Sequence, residues 1–245
     1  MKTPKDHRSN RTTKAERRSN RDERHHRDHR PSWRAIPVGG SVDPLVLRRT
    51  IDAFSTIDLR GPWSELAPMV LPLLKRVRLA FPAELAPIHL RVPPGVWAGF
   101  GIDVGPAWAH VSREIIDGWG VDEATVLGTA LANLRRRAIE EPPRVERATF
   151  ADVRATVLQA QGWGSAMILA PDRLGEVIGD RPQILLTPVR NALIALPEDV
   201  DVDLAVAIWK AFAEGSGDEL DVDPLRWTGT RVASLDDDPV GSLVH

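Results

Sequence analysis

Five polar side chains in the body of this chain interrupt apolar patterns or sit near the ends of elements: Asp103, His110, Asn133, Ser165 and Arg190. Asp, His and Arg together could carry acid–base or anion-binding chemistry. An imidazole moves a proton near neutral pH, and a guanidinium holds a carboxylate or phosphate. A hydrolase or transferase with a pocket near Asp103, His110 and Arg190 is therefore one reading. No motif specifies it. Ser165 lies in Trp163-Gly164-Ser165-Ala166-Met167, without both flanking glycines of a nucleophile elbow. There is no phosphate-binding loop, dinucleotide fingerprint or H-E-x-x-H pattern. Asp199, Asp201 and Asp203 begin like a calcium loop, but Leu204 and Lys210 stand where Gly and Glu are needed. Structural duties suit the same five candidates. Asn133 can bond neighbouring backbone, Arg190-Asn191 suits a turn, and Asp103 suits a hairpin end. No catalytic residue, metal or cofactor is assigned.

Charge is laid out in three blocks. Residues 1–34 carry twelve Lys/Arg against five Asp/Glu, residues 35–197 carry seventeen of each, and residues 198–245 carry three against twelve. The first block has almost no aliphatic residues, so it cannot offset chain entropy by burial and is expected to be disordered. Nine of its twelve cations are Arg, which suits phosphate through two parallel donors. Arg8, Arg11, Arg17, Arg18, Arg21 and Arg24 are the candidate nucleic-acid contacts, partly within a repeat of Arg-Ser-Asn-Arg at 8–11 and 18–21. Without interleaved aromatics before Trp33, such binding would be independent of sequence. A solubilising tail is the plainer reading. His25, His26 and His29 lie in the same block, but no rigid scaffold or Cys supports a metal site.

The chain has no Cys, which excludes disulfides and thiolate chemistry. It shows no apolar leader and no run long enough for a membrane span, so a cytoplasmic protein that does not enter membranes is expected. Eight Trp and no Tyr are present. Their even spread points to core and boundary anchors.

The elements that must position these residues read as follows. Asp43-Pro44 opens a helix to about Ser55, and Gly61-Pro62 opens a short helical piece. Pro68 and Pro72 break it before a helix ending near Val77. Ile88–Val92 and Val96–Asp103 read as strands, the second pairing with Ala107–Ser112. With a Val104-Gly105 loop, Gly101 faces Trp108 and Gly99 faces His110. Asp122 caps a helix with Leu127, Ala130, Leu131, Leu134 and Ala138 on one stripe. Arg135, Arg136 and Arg137 form its solvated last turn, and Pro142-Pro143 ends it. Arg154–Ala160 and Ser165–Leu169 read as strands, and Asp172–Ile178 as a helix stopped by Gly179. Gln183–Val189 and Ala192–Leu196 read as a hairpin, Val202–Ala213 as an amphipathic helix, and Arg226–Trp227 with Thr230–Val232 as a last small pair.

Several blocks within Trp63–Val232 carry a family likeness. They are Phe100-Gly-Ile-Asp103, Gly118-Trp-Gly-Val121, Ala130-Leu-Ala-Asn-Leu134, Ser165-Ala-Met-Ile-Leu169, Pro188-Val-Arg-Asn191 and Pro224-Leu-Arg-Trp227. In order and spacing this stretch resembles the YtpQ-like bacterial proteins that carry domain of unknown function 1444. The resemblance implies an intracellular α+β domain and supplies no reaction.

The expected fold is therefore α+β, an antiparallel or mixed sheet with helices on one face. Residues 35–234 make one domain between a basic tail, 1–34, and an acidic tail, 235–245. The leading functional reading is a non-catalytic intracellular binding or adaptor protein with a protein or peptide partner and an electrostatic N-terminal arm. The enzyme above and a non-specific nucleic-acid-associated protein are its rivals.

Overall fold

The computed structural model describes residues 57–74, 87–104, 107–214, 216, 219–220 and 222–236, together with Leu45, Arg48, Arg49, Ile51, Asp52 and Ser55, which are helical. These residues fall in one unit, Ile36–His245. The expectations for the basic arm and its His25, His26 and His29, and for the acidic end beyond Asp236, lie outside the described residues.

After the short helix α1 (Trp63–Leu66) and a 3-10 turn, the chain builds a small sheet from β1 (Val70–Leu74), β2 (Leu90–Val92), β3 (Val96–Asp103) and β4 (Trp108–His110). The long strand β3 is central. It pairs antiparallel with β1 on one side, and with β2 and then β4 on the other. Helix α2 (Arg113–Trp119) and helix α3 (Glu123–Glu140) follow. Ser112 and Asp122 cap them by accepting from Ile115 N–H and Thr125 N–H, which satisfies donors that a helix start leaves free. Val126, Ala130, Leu134 and Ala138 are the buried stripe of α3. Its upper half joins the core around Phe100, Ile102, Ile116 and Trp119, and its lower half joins the core beneath the second sheet. Each fully buried Leu contributes about 1.5–3 kcal/mol, so this one stripe ties both sheets together.

The second sheet has six strands, all antiparallel, in the order β10-β9-β7-β8-β6-β5. They are β5 (Arg144–Phe150), β6 (Val153–Gln159), β7 (Gln183–Val189), β8 (Ala192–Pro197), β9 (Leu225–Trp227) and β10 (Val232–Ser234). Between β6 and β7 come a 3-10 helix, Gly164–Leu169, and α4 (Pro171–Ile178); α5 (Val202–Ala213) follows β8. Leu158, Leu193, Ala195, Leu185, Leu225 and Trp227 share one sheet face with Leu174 and Ile178 of α4. Strand alternation puts Phe150 on the other face, where it meets Phe212 of α5 edge-on at 6.1 Å between ring centroids. The fold is α+β as expected, with both sheets antiparallel and helices on both faces of the larger one. Several Trp residues are anchors: Trp227 and Trp163 are buried, and Trp63 packs on Trp119 at 5.0 Å, whereas Trp97 is exposed.

Four local readings are corrected. Val70–Leu74 is a strand where a break at the prolines and then a helix ending near Val77 was expected. It is buried throughout, so it shows no alternation, and as an edge strand it tolerates the missing N–H of Pro72. Ser165–Leu169 lies in a 3-10 helix, not a strand; a short, wholly buried apolar run carries no periodicity to separate the two. The β3–β4 register is shifted by two, with Gly101 opposite His110 and Asp103 opposite Trp108. The expected register would set Pro106 against Asp103, where an N–H donor is needed. The wider loop closes with Val104 N–H donating to Ala107 O at 3.0 Å. The Trp108 ring still covers Gly101, since a Cβ there would lie 3.0 Å from its Cε3. Finally, the three arginines ending α3 are not simply solvated. Arg135 reaches Asp172 at 3.2 Å, Arg136 donates to Pro68 O at 2.9 Å, and Arg137 pairs with Asp103 at 2.7 Å.

Candidate binding site

Strands β5 and β6 are joined by a two-residue turn, Ala151-Asp152, with φ of 43° and 70°. Positive φ at both positions is the type I′ turn that matches strand twist. The pairing is continuous from Phe150↔Val153 to Arg144↔Gln159. This ribbon carries one side of a cleft of about 850 Å3, and the chain between Ile178 and Gln183 carries the other. Its polar lining comes from Arg147, Thr149, Arg154, Thr156, Arg181 and Gln183, together with the carboxylates Glu198 and Asp199. The register explains the clustering. Arg147 stands opposite Thr156 and Thr149 opposite Arg154, so all four share one face.

Arg147 donates from Nη1 to Thr156 Oγ1 at 2.7 Å, which orients it over the face. Gln183 Nε2 donates to Ile178 O at 3.1 Å and Arg181 O at 3.3 Å, and so holds the opposite wall. Of the two carboxylates, Glu198 is occupied by Arg226 at 3.2 Å. The side chains of Arg154 and Arg181 make no ion pair with any described residue. The arrangement can hold an anionic group by hydrogen bonds and charge. Among the described residues, no His or Ser lines the cleft.

None of the five residues singled out from sequence lines this cleft. Asp103 is engaged by Arg137, which also meets Glu141 at 3.1 Å. Asn133 Nδ2 donates to Ala67 O at 2.6 Å and Val70 O at 2.9 Å, clamping the entry to β1. It borders a smaller recess of about 220 Å3 with Arg136 and Glu140. Ser165 is fully buried, and its Oγ has no hydrogen-bond partner. Its N–H donates to Arg190 O at 3.0 Å, so these two do meet, through backbone at the β7–β8 turn. His110 stands on β4, two residues along the ribbon from the Asp103–Trp108 pair.

The cleft arginines were missed because β5 was not read as a strand. The sequence signal was weak: Ala151-Asp152 lacks the Asn-Gly or Asp-Gly type that marks such a turn, although Arg147 and Arg154 flank one hairpin. Asp122 has its carboxyl held below the ordinary value by hydrogen bonds from the Thr125 side chain and then its backbone N–H; that is a helix cap remote from the cleft. Among the described residues no cluster of His, Asp or Glu could hold a metal ion, and no helix is long and apolar enough to cross a membrane. Comparison with protein families, curated proteins and solved structures finds no match to this chain.

Proposed function

We propose that this chain is a non-catalytic intracellular binding or adaptor protein whose partner presents acidic groups to the β5–β6 cleft. The observation that carries this reading is the convergence of Arg147, Arg154 and Arg181 on one open cleft without a carboxylate partner for any of the three guanidinium groups among the described residues. Thr149, Thr156 and Gln183 supply neutral polar groups beside them. The enzyme reading loses support because Asp103 is committed to Arg137 and Ser165 is sealed in the core. The proposal carries with it membership among the YtpQ-like proteins, a family without an established reaction. It also carries the basic block 1–34 as an electrostatic arm, supported by composition alone.

The test is a fluorescence-polarisation titration of the full chain with a labelled hexaglutamate peptide and a hexalysine control. Exposed Arg–carboxylate pairs contribute about 0.2–1 kcal/mol each, so three of them add up to roughly a tenfold effect. The Arg147→Ala/Arg154→Ala/Arg181→Ala variant keeps the basic arm and should bind hexaglutamate roughly tenfold more weakly. Equal binding by the variant, or no preference for the acidic peptide, refutes the proposal.

A further inference from the structure

The free edge of the six-stranded sheet is built from the same residues that floor the cleft. The β5–β6 turn has two residues and closes on Phe150↔Val153. In such a hairpin the closing pair exchanges both backbone hydrogen bonds, and bonded and non-bonded pairs then alternate. Phe150, Ala148, Glu146 and Arg144 therefore spend their N–H and C=O groups on β6. Val145, Arg147 and Thr149 turn theirs outward. The sheet order ends at β5, and no described strand pairs with its outer edge. Arg147 and Thr149 are also the β5 side chains that line the cleft face. Backbone donors and acceptors, and a cationic face, are thus offered by one strand at one register.

A second copy of this chain meets an obstacle in most two-fold registers at that edge; centring on Ala148, which sets Arg147 against Thr149, is the one that avoids both like charges and proline. Two-fold pairing centred on Arg147 sets it against Arg147 of the other copy, a directly opposed like-charge pair. Pairing centred on Val145 sets Arg147 against Pro143, which has no N–H to give. Pairing centred on Thr149 runs Arg147 against Ala151, a turn residue with positive φ. An acidic strand meets none of these obstacles.

We infer that the outer edge of β5 receives an extended acidic segment of a partner protein as a seventh antiparallel strand, with carboxylates on alternate residues facing Arg147, Arg154 and Arg181. This rests on the acidic-partner reading above and adds its geometry. Strand addition draws affinity from main-chain bonds and specificity from alternate side chains. A partner residue directly opposite Arg147 shares its face, with Cβ atoms about 4.5–5.5 Å apart. That same residue supplies the N–H and C=O that bond to the backbone of Arg147.

The test uses the full chain and a labelled, end-blocked peptide of alternating Thr and Glu. Two further versions carry N-methyl groups on every Glu or on every Thr. Strand addition in this register predicts that Glu methylation weakens binding roughly tenfold or more, while Thr methylation changes it by no more than about threefold. On the protein side, Val145→Pro removes only an outward N–H and leaves the three arginines in place. It should weaken the peptide comparably while the unfolding midpoint stays near that of the parent. Equal losses from the two methylation patterns, or full binding by Val145→Pro, overturn strand addition. In that case a loss confined to the triple arginine variant would leave the acidic cleft standing. If no acidic peptide binds, both fall. A dimer of the full chain that Val145→Pro dissociates would assign the edge to a second copy and overturn the inference.

Discussion

Gly162 should be sensitive to any added side chain. It follows β6, has φ of +78°, and lies against the indole of Trp108 from the other sheet. A Cβ at this position would sit 2.6 Å from Trp108 Cζ2, and closer still to the ring nitrogen. Gly162→Ala therefore meets two separate costs. The left-handed backbone costs an L-residue about 1–2 kcal/mol. Displacing the ring costs about 1–3 kcal/mol, as for other overpacked sites. A total near 3 kcal/mol should lower the midpoint of thermal unfolding by roughly 6–12 °C in a domain of this size. Circular dichroism measures the loss, and a double-mutant cycle assigns it. In a Trp108→Ala background the steric part vanishes, so Gly162→Ala should then cost only the backbone part, about 1–2 kcal/mol. Strict additivity of the two substitutions would refute the steric reasoning, and a loss under about 1 kcal/mol in the parent would refute both parts.

Four other outcomes follow, the first three from the structure and the last from composition. Ser165→Ala removes a buried hydroxyl without a partner and should be neutral or stabilising by about 1 kcal/mol, whereas Asn133→Ala removes the amide that bridges Ala67 O, which keeps the Val70 N–H, to Val70 O, and should cost about 1–2 kcal/mol in denaturant unfolding. The depressed carboxyl of Asp122 contributes stability that is present above its ordinary value of 3.8 and lost as the pH falls through its lower folded value, so the stability difference between the parent and Asp122→Asn should shrink on acidification below 3.8. Nucleic-acid binding through the basic block should be sequence-independent, with a slope of log K against log salt of roughly −4 to −5 if about five cations meet phosphates, and removal of residues 1–30 should abolish it in a two-salt titration.

Much of the fold was legible where the signal is local. The cap Asp122 accepts from Thr125 N–H as its position suggests, and Val202–Ala213 has the expected bounds, with Asp201 accepting from Leu204 N–H at its start. The Arg190-Asn191 turn joins the hairpin it was expected to join. The failures came where tertiary context outweighs local preference. Pro72 reads as a helix breaker, yet an edge strand accepts it. The β3–β4 hairpin takes a register two residues from the expected one. In β5 the alternation is Arg144-Val-Glu-Arg-Ala-Thr-Phe, with exposed side chains on both faces of its first half, so no apolar period marks it. The cleft was less legible still. It needs Arg181, beyond the end of α4, to lie beside a hairpin that ended more than twenty residues earlier, and no local spacing carries that. Two of the five polar residues that interrupt apolar patterns hold structure: Asn133 clamps β1, and Asp103 anchors the end of α3 through Arg137.

The claim that an acidic partner is held at the β5–β6 cleft is tested most directly by residue-resolved amide hydrogen exchange of the full chain with and without the alternating Thr–Glu peptide. Slowed exchange concentrated in Val145, Arg147 and Thr149, with no change along Asp103–His110 or at Arg190, is the result expected. Protection centred on the Asp103–His110 ribbon, or a peptide that binds without protecting β5, would contradict it.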